Sequence, residues 1–364
     1  MEKSDHNKKV LVAMSGGVDS AVAALLLKEQ GYDVIGANMR FWEYDASCDT
    51  GEKKRHTSCC SPEDLKDAER VARSIGIPFY AIKMEQDFKK KVIQPFIQAY
   101  TMAQTPNPCV LCNTEIKFGI FYEKAKSLGF DYVATGHYAR RVKVHNRYAI
   151  APAKDKAKDQ SYYLYGLNQE ALSQTLFPLA DITKEDVRKI ANKNQLPVAK
   201  KPESQEICFI PENNYRVFLQ KQGVKFQPGF IRDIEGRILA KHDGKENFTI
   251  GQRRGLKIAL GKKLYVIDIL QNGDVIVGEK KDLDVRRFIL KEPVFQALPP
   301  SKCKGEAFIQ IRYNSPAVRC VYQYNGSEFH VKLLEFAGAV TSGQAGVIYN
   351  ENGILLAGGT IQRI

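Results

Sequence analysis

No stretch of this sequence approaches the roughly 20 consecutive apolar residues that a membrane-spanning helix needs, which excludes a helical membrane protein. Internal repeats, low-complexity tracts and long linkers are also missing, which argues against a repeat array or a disordered chain. Met1-Glu2-Lys3-Ser4-Asp5-His6 is polar, and the first apolar run, Val10 to Met14, is too short for a signal peptide. A cytoplasmic protein is therefore expected. The Walker pattern G-x-x-x-x-G-K-[ST] is absent; Gly255 to Lys262 comes near it but has one residue too many and no hydroxyl after the lysine. Acidic residues are in the minority, 41 against 54 basic ones, for a net charge of +13. That excess favours a polyanionic partner, because each neutralised phosphate releases counterions. No strongly basic amphipathic helix offers itself to a membrane surface instead.

What is present is a globular chain. Its 364 residues exceed what one core usually supports, so two or three domains are expected, and 44% apolar residues can fill them. The first half alternates short apolar runs with helical patterns. Val10 to Met14, Asp33 to Met39, Pro78 to Ile82 and Asp131 to Thr135 read as strands. Helices are expected over Asp19 to Gln30, from Pro62 to Gly76 with Ser61 as cap, and from Glu115 to Leu128. This alternation implies a doubly wound parallel sheet with helices on both faces. After Ile210 the pattern changes to a short helix, Asn213 to Gln222, and then strands and turns. Leu264 to Leu270, Val275 to Val277, Phe308 to Tyr313, Val331 to Leu334 and Ala345 to Tyr349 have the spacing of a small barrel or sandwich. Boundaries are placed at 1–210, 211–282 and 283–364.

Ser15-Gly16-Gly17-Val18-Asp19-Ser20 lies between the first strand and the first helix. Two glycines admit close backbone approach, and the helix N-terminus offers unpaired N–H groups and a positive dipole end. Ser15 and Ser20 add hydroxyls, and Asp19 could help hold Mg2+. The pattern fits a phosphate or pyrophosphate site; the competing reading is an ordinary strand-to-helix turn.

Eight cysteines, Cys48, Cys59, Cys60, Cys109, Cys112, Cys208, Cys303 and Cys320, read better as metal ligands or reactive thiols than as structural disulfides. Thr105-Pro106-Asn107-Pro108-Cys109-Val110-Leu111-Cys112-Asn113 runs into a helix, placing Cys112 near an N-terminus where a thiolate is stabilised. Cys208 sits in the apolar patch Ile207-Cys208-Phe209-Ile210. If the fold brings the two together, one thiol can carry sulfur as a persulfide and the other resolve it as a disulfide. Two alternatives stand beside this. Cys208 can be a buried small hydrophobe, and Cys109-x-x-Cys112 can be half a zinc site completed by Cys59, Cys60 or His56.

The phosphate loop resembles the PP-loop of the ATP pyrophosphatases. Taken with further motifs in order, the chain resembles the tRNA-specific 2-thiouridylase family over nearly its full length. Those motifs are Asn107-Pro108, Cys112-Asn113-Thr114-Glu115-Ile116-Lys117-Phe118, Ala134-Thr135-Gly136-His137-Tyr138-Ala139, Lys158-Asp159-Gln160-Ser161-Tyr162, Ile207 to Ile210, Gly251-Gln252-Arg253-Arg254-Gly255-Leu256, Ile311-Arg312-Tyr313 and Thr341-Ser342-Gly343-Gln344. The resemblance implies a PP-loop, Rossmann-like catalytic domain, a small central tRNA-contacting domain and a C-terminal all-β barrel. It implies that Ala13, Met14, Ser15, Gly16, Gly17, Val18, Asp19 and Ser20 bind ATP, with Met39 and Gly136 on the nucleotide. Cys208 would carry the persulfide, and Cys112 would be the nucleophile or acid–base partner that forms a transient disulfide with it. Asn107, Pro108 and Cys109 would line the pocket of the target base. His137, Lys158, Asp159, Gln160, Arg312, Tyr313 and Gln344 would contact tRNA.

Each of these residues has a plainer reading: Met39 as strand core, Gly136 as a turn, Lys158 to Gln160 as a solvated helix start, His137 as a strand-end cap, and Arg312-Tyr313 as one exposed and one packed strand residue. The family commonly has aspartate where this chain has Cys109, and the extra thiol keeps a metal or another disulfide open.

The activity implied is ATP-dependent 2-thiolation of the wobble uridine, giving AMP, pyrophosphate and 2-thiouridine. A sulfur-relay protein or cysteine desulfurase would be the donor, and a monomer is the working expectation. The rivals are a PP-loop ligase acting on a small molecule, and a zinc-stabilised RNA-binding protein whose thiols are structural.

Overall fold

Val10, Leu11, Val12 and Ala13 are all buried, as a strand covered on both faces must be. In the computed structural model, which describes residues 7–41, 62–203, 207–210, 214–256, 258, 261–301 and 304–364, they form the centre of a parallel sheet. The strands in chain order are β1 (Lys9–Ala13), β2 (Asp33–Arg40), β3 (Phe79–Lys83), β4 (Tyr132–Thr135), β5 (Arg140–Val144), β6 (Arg147–Ala151) and β7 (Thr175–Leu176). The helices are α1 (Val18–Glu29), α2 (Pro62–Ile75), α3 (Glu85–Phe88), α4 (Gln94–Thr101), α5 (Pro108–Leu111), α6 (Phe121–Ser127), α7 (Gln169–Ser173), α8 (Lys184–Lys193) and α9 (Tyr215–Lys221).

The sheet order is β3-β2-β1-β4-β7, every pair parallel, so the winding reverses between β1 and β4. In an open α/β sheet that reversal opens a crevice at the carboxyl ends of the two strands, where ligands bind. Helices α1, α2 and α8 pack their alanine- and valine-rich sides into one core with β1. Small residues such as Ala21, Ala23 and Ala24, all fully buried, let α1 sit close to the strands.

The chain divides into two compact units, Met1–Val92 with Cys109–Asn213, and Ile93–Pro108 with Asn214–Ile364. The segment Ile93–Pro108 therefore groups with the second unit, although it lies inside the 1–210 region read as one domain. The reason is aromatic packing. On α4, Tyr100 stacks on Tyr215 with ring centroids 4.6 Å apart, and Phe96 meets Phe218 edge-on at 6.0 Å.

The second unit contains a sheet of β8 (Gly229–Arg232), β9 (Ile238–His242), β10 (Tyr265–Ile269) and β11 (Val275–Gly278), in the order β10-β11-β8-β9. A closed antiparallel barrel follows, built from β12 (Arg287–Phe295), β13 (Lys304–Gln310), β14 (Val318–Tyr324), β15 (Phe329–Leu333), β16 (Ala345–Tyr349) and β17 (Leu355–Arg363). Alternation along β14 and β15 turns Cys320, Tyr322, Phe329, Val331 and Leu333 inward.

Three expectations need correction here. Cys320 is neither a metal ligand nor a reactive thiol: it is fully buried in the barrel core, and burial pushes its thiol up to about 12. Arg312 and Tyr313 do not lie in a strand, because β13 ends at Gln310. The helix expected from Glu115 starts earlier, at Pro108, and Cys112–Ile120 is π-helical before α6 resumes.

Phe329 is fully buried and meets Phe295, Tyr322 and Tyr324 with centroids 5.1–5.8 Å away. Phe329→Ala should destabilise the barrel by about 3–5 kcal/mol, read as an earlier thermal unfolding transition.

Candidate active site

The segment 14–20 is shaped by its neighbours rather than by its own side chains. Met14 leaves β1 with its N–H donating to Ala37 O (2.8 Å), while its carbonyl accepts from the buried Asn38 Nδ2 (2.8 Å). Gly16 has φ +75, and a Cβ there would lie 2.2 Å from the Asp64 carbonyl oxygen of α2. Gly136, directly after β4, is equally tight: a Cβ would lie 2.7 Å from Ser20 N and from the Asp19 carbonyl carbon. Gly17, by contrast, has open space on its Cβ side apart from Ser15 Oγ at 3.5 Å. Gly17 is the N-cap of α1 with no side chain capping it, so the first amides of the helix face the crevice uncapped. Ser20 Oγ donates to Gly17 O (3.1 Å) and accepts from Ser15 N (3.2 Å), holding the turn closed. This is a cradle of backbone donors at the topological switch point, and its chemistry suits a phosphate chain.

Charge around the cradle is organised by three lysines. Lys184 Nζ donates to both oxygens of Asp19 (2.8 and 2.7 Å), and the Tyr138 hydroxyl donates to Asp19 Oδ1 (2.8 Å). Lys184 also pairs with Glu203 (3.0 Å), which pairs with Lys158 (2.7 Å). Lys201 Nζ donates to Gly16 O (3.0 Å) and to Asp64 and Asp67 (2.6 Å each). Burial works against the Glu203 carboxylate, but hydrogen bonds and charge from Lys158 and Lys184 outweigh it and hold the group below its ordinary value. Burial and the neighbouring Asp19 push the Tyr138 hydroxyl far upward, so it stays a donor. Lys184, Lys201, Glu203 and Tyr138 carried no role in the sequence reading. Lys184 sits in the capping box Thr183-Lys184-Glu185-Asp186, where the local pattern announces only a helix start.

Cys112 is buried at the start of the π-helical turn, just past the first turn that begins at Pro108. Helix-dipole stabilisation fades within one turn, so its environment owes less to the helix end than the sequence implied. A Cβ at Gly119 would lie 2.9 Å from the Thr114 carbonyl oxygen, a crowding that favours glycine in this π-helix. Asn113 Nδ2 donates to Tyr163 O (3.3 Å), while its buried Oδ1 has no hydrogen-bond partner among the described residues. Cys208 is half-buried; the adjacent Phe209 meets Phe88 of α3 edge-on at 5.8 Å. Helix α3 also packs against the Cys112–Ile120 turn. The two cysteine segments thus share one neighbour inside the first unit. Cys109 is half-buried in α5 of the same unit. Cys59, Cys60, His56, Cys48 and Cys303 lie outside the described residues, and no group of metal ligands occurs among the described ones.

The residues read as RNA contacts fall in both units. Asp159 is a structural pin, accepting from Ala153 N (2.9 Å) and from the Ser161 amide and hydroxyl. Gln160 Oε1 accepts from Tyr138 N (3.0 Å), which secures the chain after Gly136. The His137 ring is buried against Phe118 and Phe177 and bonded to Thr135 Oγ1 (2.7 Å), so it offers no surface to an RNA. Met39 is buried near the carboxyl end of β2. In the second unit, Arg312 donates to Thr341 Oγ1 (2.9 Å) and Ile250 O (3.2 Å), and Tyr313 is half-buried beside it. Gln344 Nε2 donates to Thr105 O (3.0 Å) and Pro106 O (3.1 Å), steadying the loop that carries Asn107 and Pro108.

Residues 8–212 match the family model described as the tRNA methyl transferase HUP domain. Residues 216–279 match the tRNA methyl transferase PRC-barrel domain and 285–361 the aminomethyltransferase beta-barrel domain. The tRNA-specific 2-thiouridylase MnmA of Leptospira biflexa is 53% identical over 98% of this chain and 94% of its own length. The protein of that name from Natranaerobius thermophilus is 47% identical over 98% and 97%. The chain belongs to the tRNA-specific 2-thiouridylase family. Among solved structures, an NH3-dependent NAD synthetase from Campylobacter jejuni covers 55% of this thiouridylase-family chain and 69% of its own, at 18% identity and a TM-score of 0.34, too low to bear on the site.

Two outcomes follow from this geometry. Gly16→Ala must strain a left-handed turn and displace the Asp64 backbone, costing at least about 2 kcal/mol. Gly17→Ala should melt within about 0.5 kcal/mol of the parent, and thermal unfolding of both variants checks the contrast. The second outcome concerns pH. Burial, then Lys117, holds His137 well below 6.5, so the folded state keeps it neutral. The unfolded chain takes up that proton near its ordinary value. Stability from this group is therefore complete above about pH 6.5 and declines as pH falls toward the folded value. Melting curves between pH 7.5 and 5 should show a shallower acid-side loss for His137→Phe.

Proposed function

We propose that this chain catalyses ATP-dependent 2-thiolation of the wobble uridine of tRNA anticodons, forming 2-thiouridine, AMP and pyrophosphate. The observation that carries the reading is the joining, within one compact unit, of an uncapped phosphate cradle at a sheet switch point with two cysteine segments packed on α3. A methyl transfer has no need of a phosphate cradle. The curated relatives that match end to end are named for thiolation.

The residues divide the work as follows. The backbone of Ser15 to Ser20, with the α1 dipole, binds the phosphates of ATP, and Met39 and Gly136 border the nucleotide. Magnesium, when bound, neutralises the departing pyrophosphate. Asp19, both of whose oxygens accept from Lys184, would be the carboxylate that helps hold such an ion.

The uracil C2 oxygen attacks the α-phosphorus, pyrophosphate leaves, and C2 becomes an electrophile. The terminal sulfur of a persulfide on Cys208, or sulfide released from it by Cys112, attacks C2, and the original oxygen departs on AMP. Cys112 takes the sulfur bond of Cys208, leaving a Cys112–Cys208 disulfide that a two-electron thiol reductant reopens. A sulfur-relay protein or a cysteine desulfurase reloads Cys208. Asn107, Pro108 and Cys109 border the flipped base, whose unstacking costs roughly a few kcal/mol. Lys158, Arg312, Tyr313 and Gln344, with the main chain at His137, Asp159 and Gln160, face the tRNA. The enzyme is assigned to the cytoplasm as a monomer.

Cys208→Ser is expected to bind ATP and tRNA normally and to produce no 2-thiouridine when digested nucleosides are analysed by mass. Full turnover by that variant would overturn the assignment. Cys112→Ser should likewise lose multiple turnover, by at least about a hundredfold, with Cys208 still able to accept sulfur from the donor.

A further inference from the structure

The peptide joining Gly16 to Gly17 is the link of the phosphate cradle that its own chemistry restrains least. Neither residue carries a Cβ, so the plane can turn over by rotation about Gly16 ψ and Gly17 φ at little steric cost. Turned one way it offers a ligand the Gly17 N–H; turned the other way it offers the Gly16 carbonyl oxygen, which repels a phosphate. The first orientation is tied down by Lys201, whose Nζ donates to Gly16 O (3.0 Å). In a trans peptide the carbonyl and the N–H point in opposite directions, so the Gly17 N–H is turned away from Lys201. No hydrogen bond to a carbonyl of the described residues takes it up. The other two donors of the ammonium are filled by Asp64 Oδ1 and Asp67 Oδ2 on α2, at 2.6 Å each. The chain that delivers Lys201 is itself fixed after α8: Arg188 donates to Ala199 O (2.6 Å), and Lys201 N donates to Val198 O (3.0 Å). Burial works against the ammonium, but hydrogen bonds and charge from Asp64 and Asp67 outweigh it, so Lys201 stays protonated.

We propose that Lys201 is a positioning residue that locks the Gly16–Gly17 peptide with its N–H turned to the phosphates of the bound nucleotide. The inference rests on the reading of the cradle as an ATP site. A lysine beside a phosphate loop is ordinarily taken for a direct ligand of the phosphates. Here all three donors already meet protein oxygens, and none is left for a ligand. Attraction is not the cluster's contribution either, because one ammonium and two carboxylates leave it with a net negative charge, which opposes a polyanion. Its contribution is orientation. Asp64 and Asp67 hold the ammonium at one spot, and the ammonium holds the Gly16 carbonyl out of the phosphates' way by a charge-assisted hydrogen bond. Asp64 acts twice, since its main-chain oxygen also occupies the place a Cβ of Gly16 would need. If the tie is cut, the turned-over peptide becomes populated, and apparent affinity for phosphates falls in proportion to the fraction of molecules still correctly oriented.

The test uses the full-length protein without tRNA or sulfur donor. Calorimetry measures the affinity for a non-hydrolysable ATP analogue with magnesium and, separately, for adenosine, which has no phosphate. Lys201→Met should bind the analogue at least about tenfold more weakly, the worth of one charged hydrogen bond. Its affinity for adenosine should stay within about twofold of wild type, because the base and ribose do not meet the turned peptide. A second variant, Lys201→Met combined with Asp67→Asn, keeps the net charge of the cluster as it is in the wild type and leaves fewer carboxylates unpaired. It should remain as weak toward the analogue as the single variant. Wild-type analogue affinity in Lys201→Met overturns the inference. Recovery of that affinity in the charge-matched variant also overturns it, since the loss would then be one of charge and not of orientation. An equal loss for adenosine and analogue overturns it too, as the mark of a general structural role. A wild type that binds adenosine but gains nothing from the phosphates overturns the reading of the cradle as an ATP site, and this inference with it.

Discussion

The structure depends on how closely three backbones approach at the point where the sheet reverses its winding. The turn after β1, the chain after β4 and the start of α2 converge so tightly that Gly16 and Gly136 have no room for a methyl group. That crowding is what leaves the α1 amides exposed to a ligand instead of covered by side chains. The β strands supply the precision, because a parallel sheet buried on both faces cannot shift register without turning its apolar side chains into the wrong layer. Everything proposed about phosphate binding follows from that rigidity.

Around this neutral backbone cradle the fold places charge in pairs rather than as a bare positive patch. Lys184 and Lys201 are each committed to carboxylates from different elements. Paired, partly buried charges add little net stability, since desolvation offsets most of the attraction. The excess of basic residues across the chain works on another scale, drawing in a nucleic acid without fixing its register.

Much of the first unit could be read from local pattern. The apolar runs at Val10 to Met14 and Asp33 to Met39 and the glycine turn between strand and helix are signals carried by consecutive residues, and the structure keeps them. The order of strands in the sheet was not legible, because it is set by contacts between segments more than a hundred residues apart. The same holds for the cluster of Lys184, Lys201 and Glu203: each lies in a sequence context that explains itself locally, as a helix start or a loop. The α4 segment reads as part of the first domain by position, yet Phe96 and Tyr100 choose partners on α9. His137 and Asp159 stand in motifs that suggest contact with an RNA, while burial makes the first a packing ring and satisfied hydrogen bonds make the second a loop pin. A motif names the residues; which of their atoms face outward depends on tertiary packing.

The central claim is that the phosphate cradle serves to activate an oxygen on the tRNA base so that sulfur can replace it. The most direct measurement starts from tRNA carrying a heavy-oxygen label at the C2 carbonyl of the wobble uridine. It follows the label through one turnover with ATP and persulfide-loaded protein. The account predicts that the label appears in AMP in proportion to the thiolated base. Label released to water, with unlabelled AMP, would contradict it.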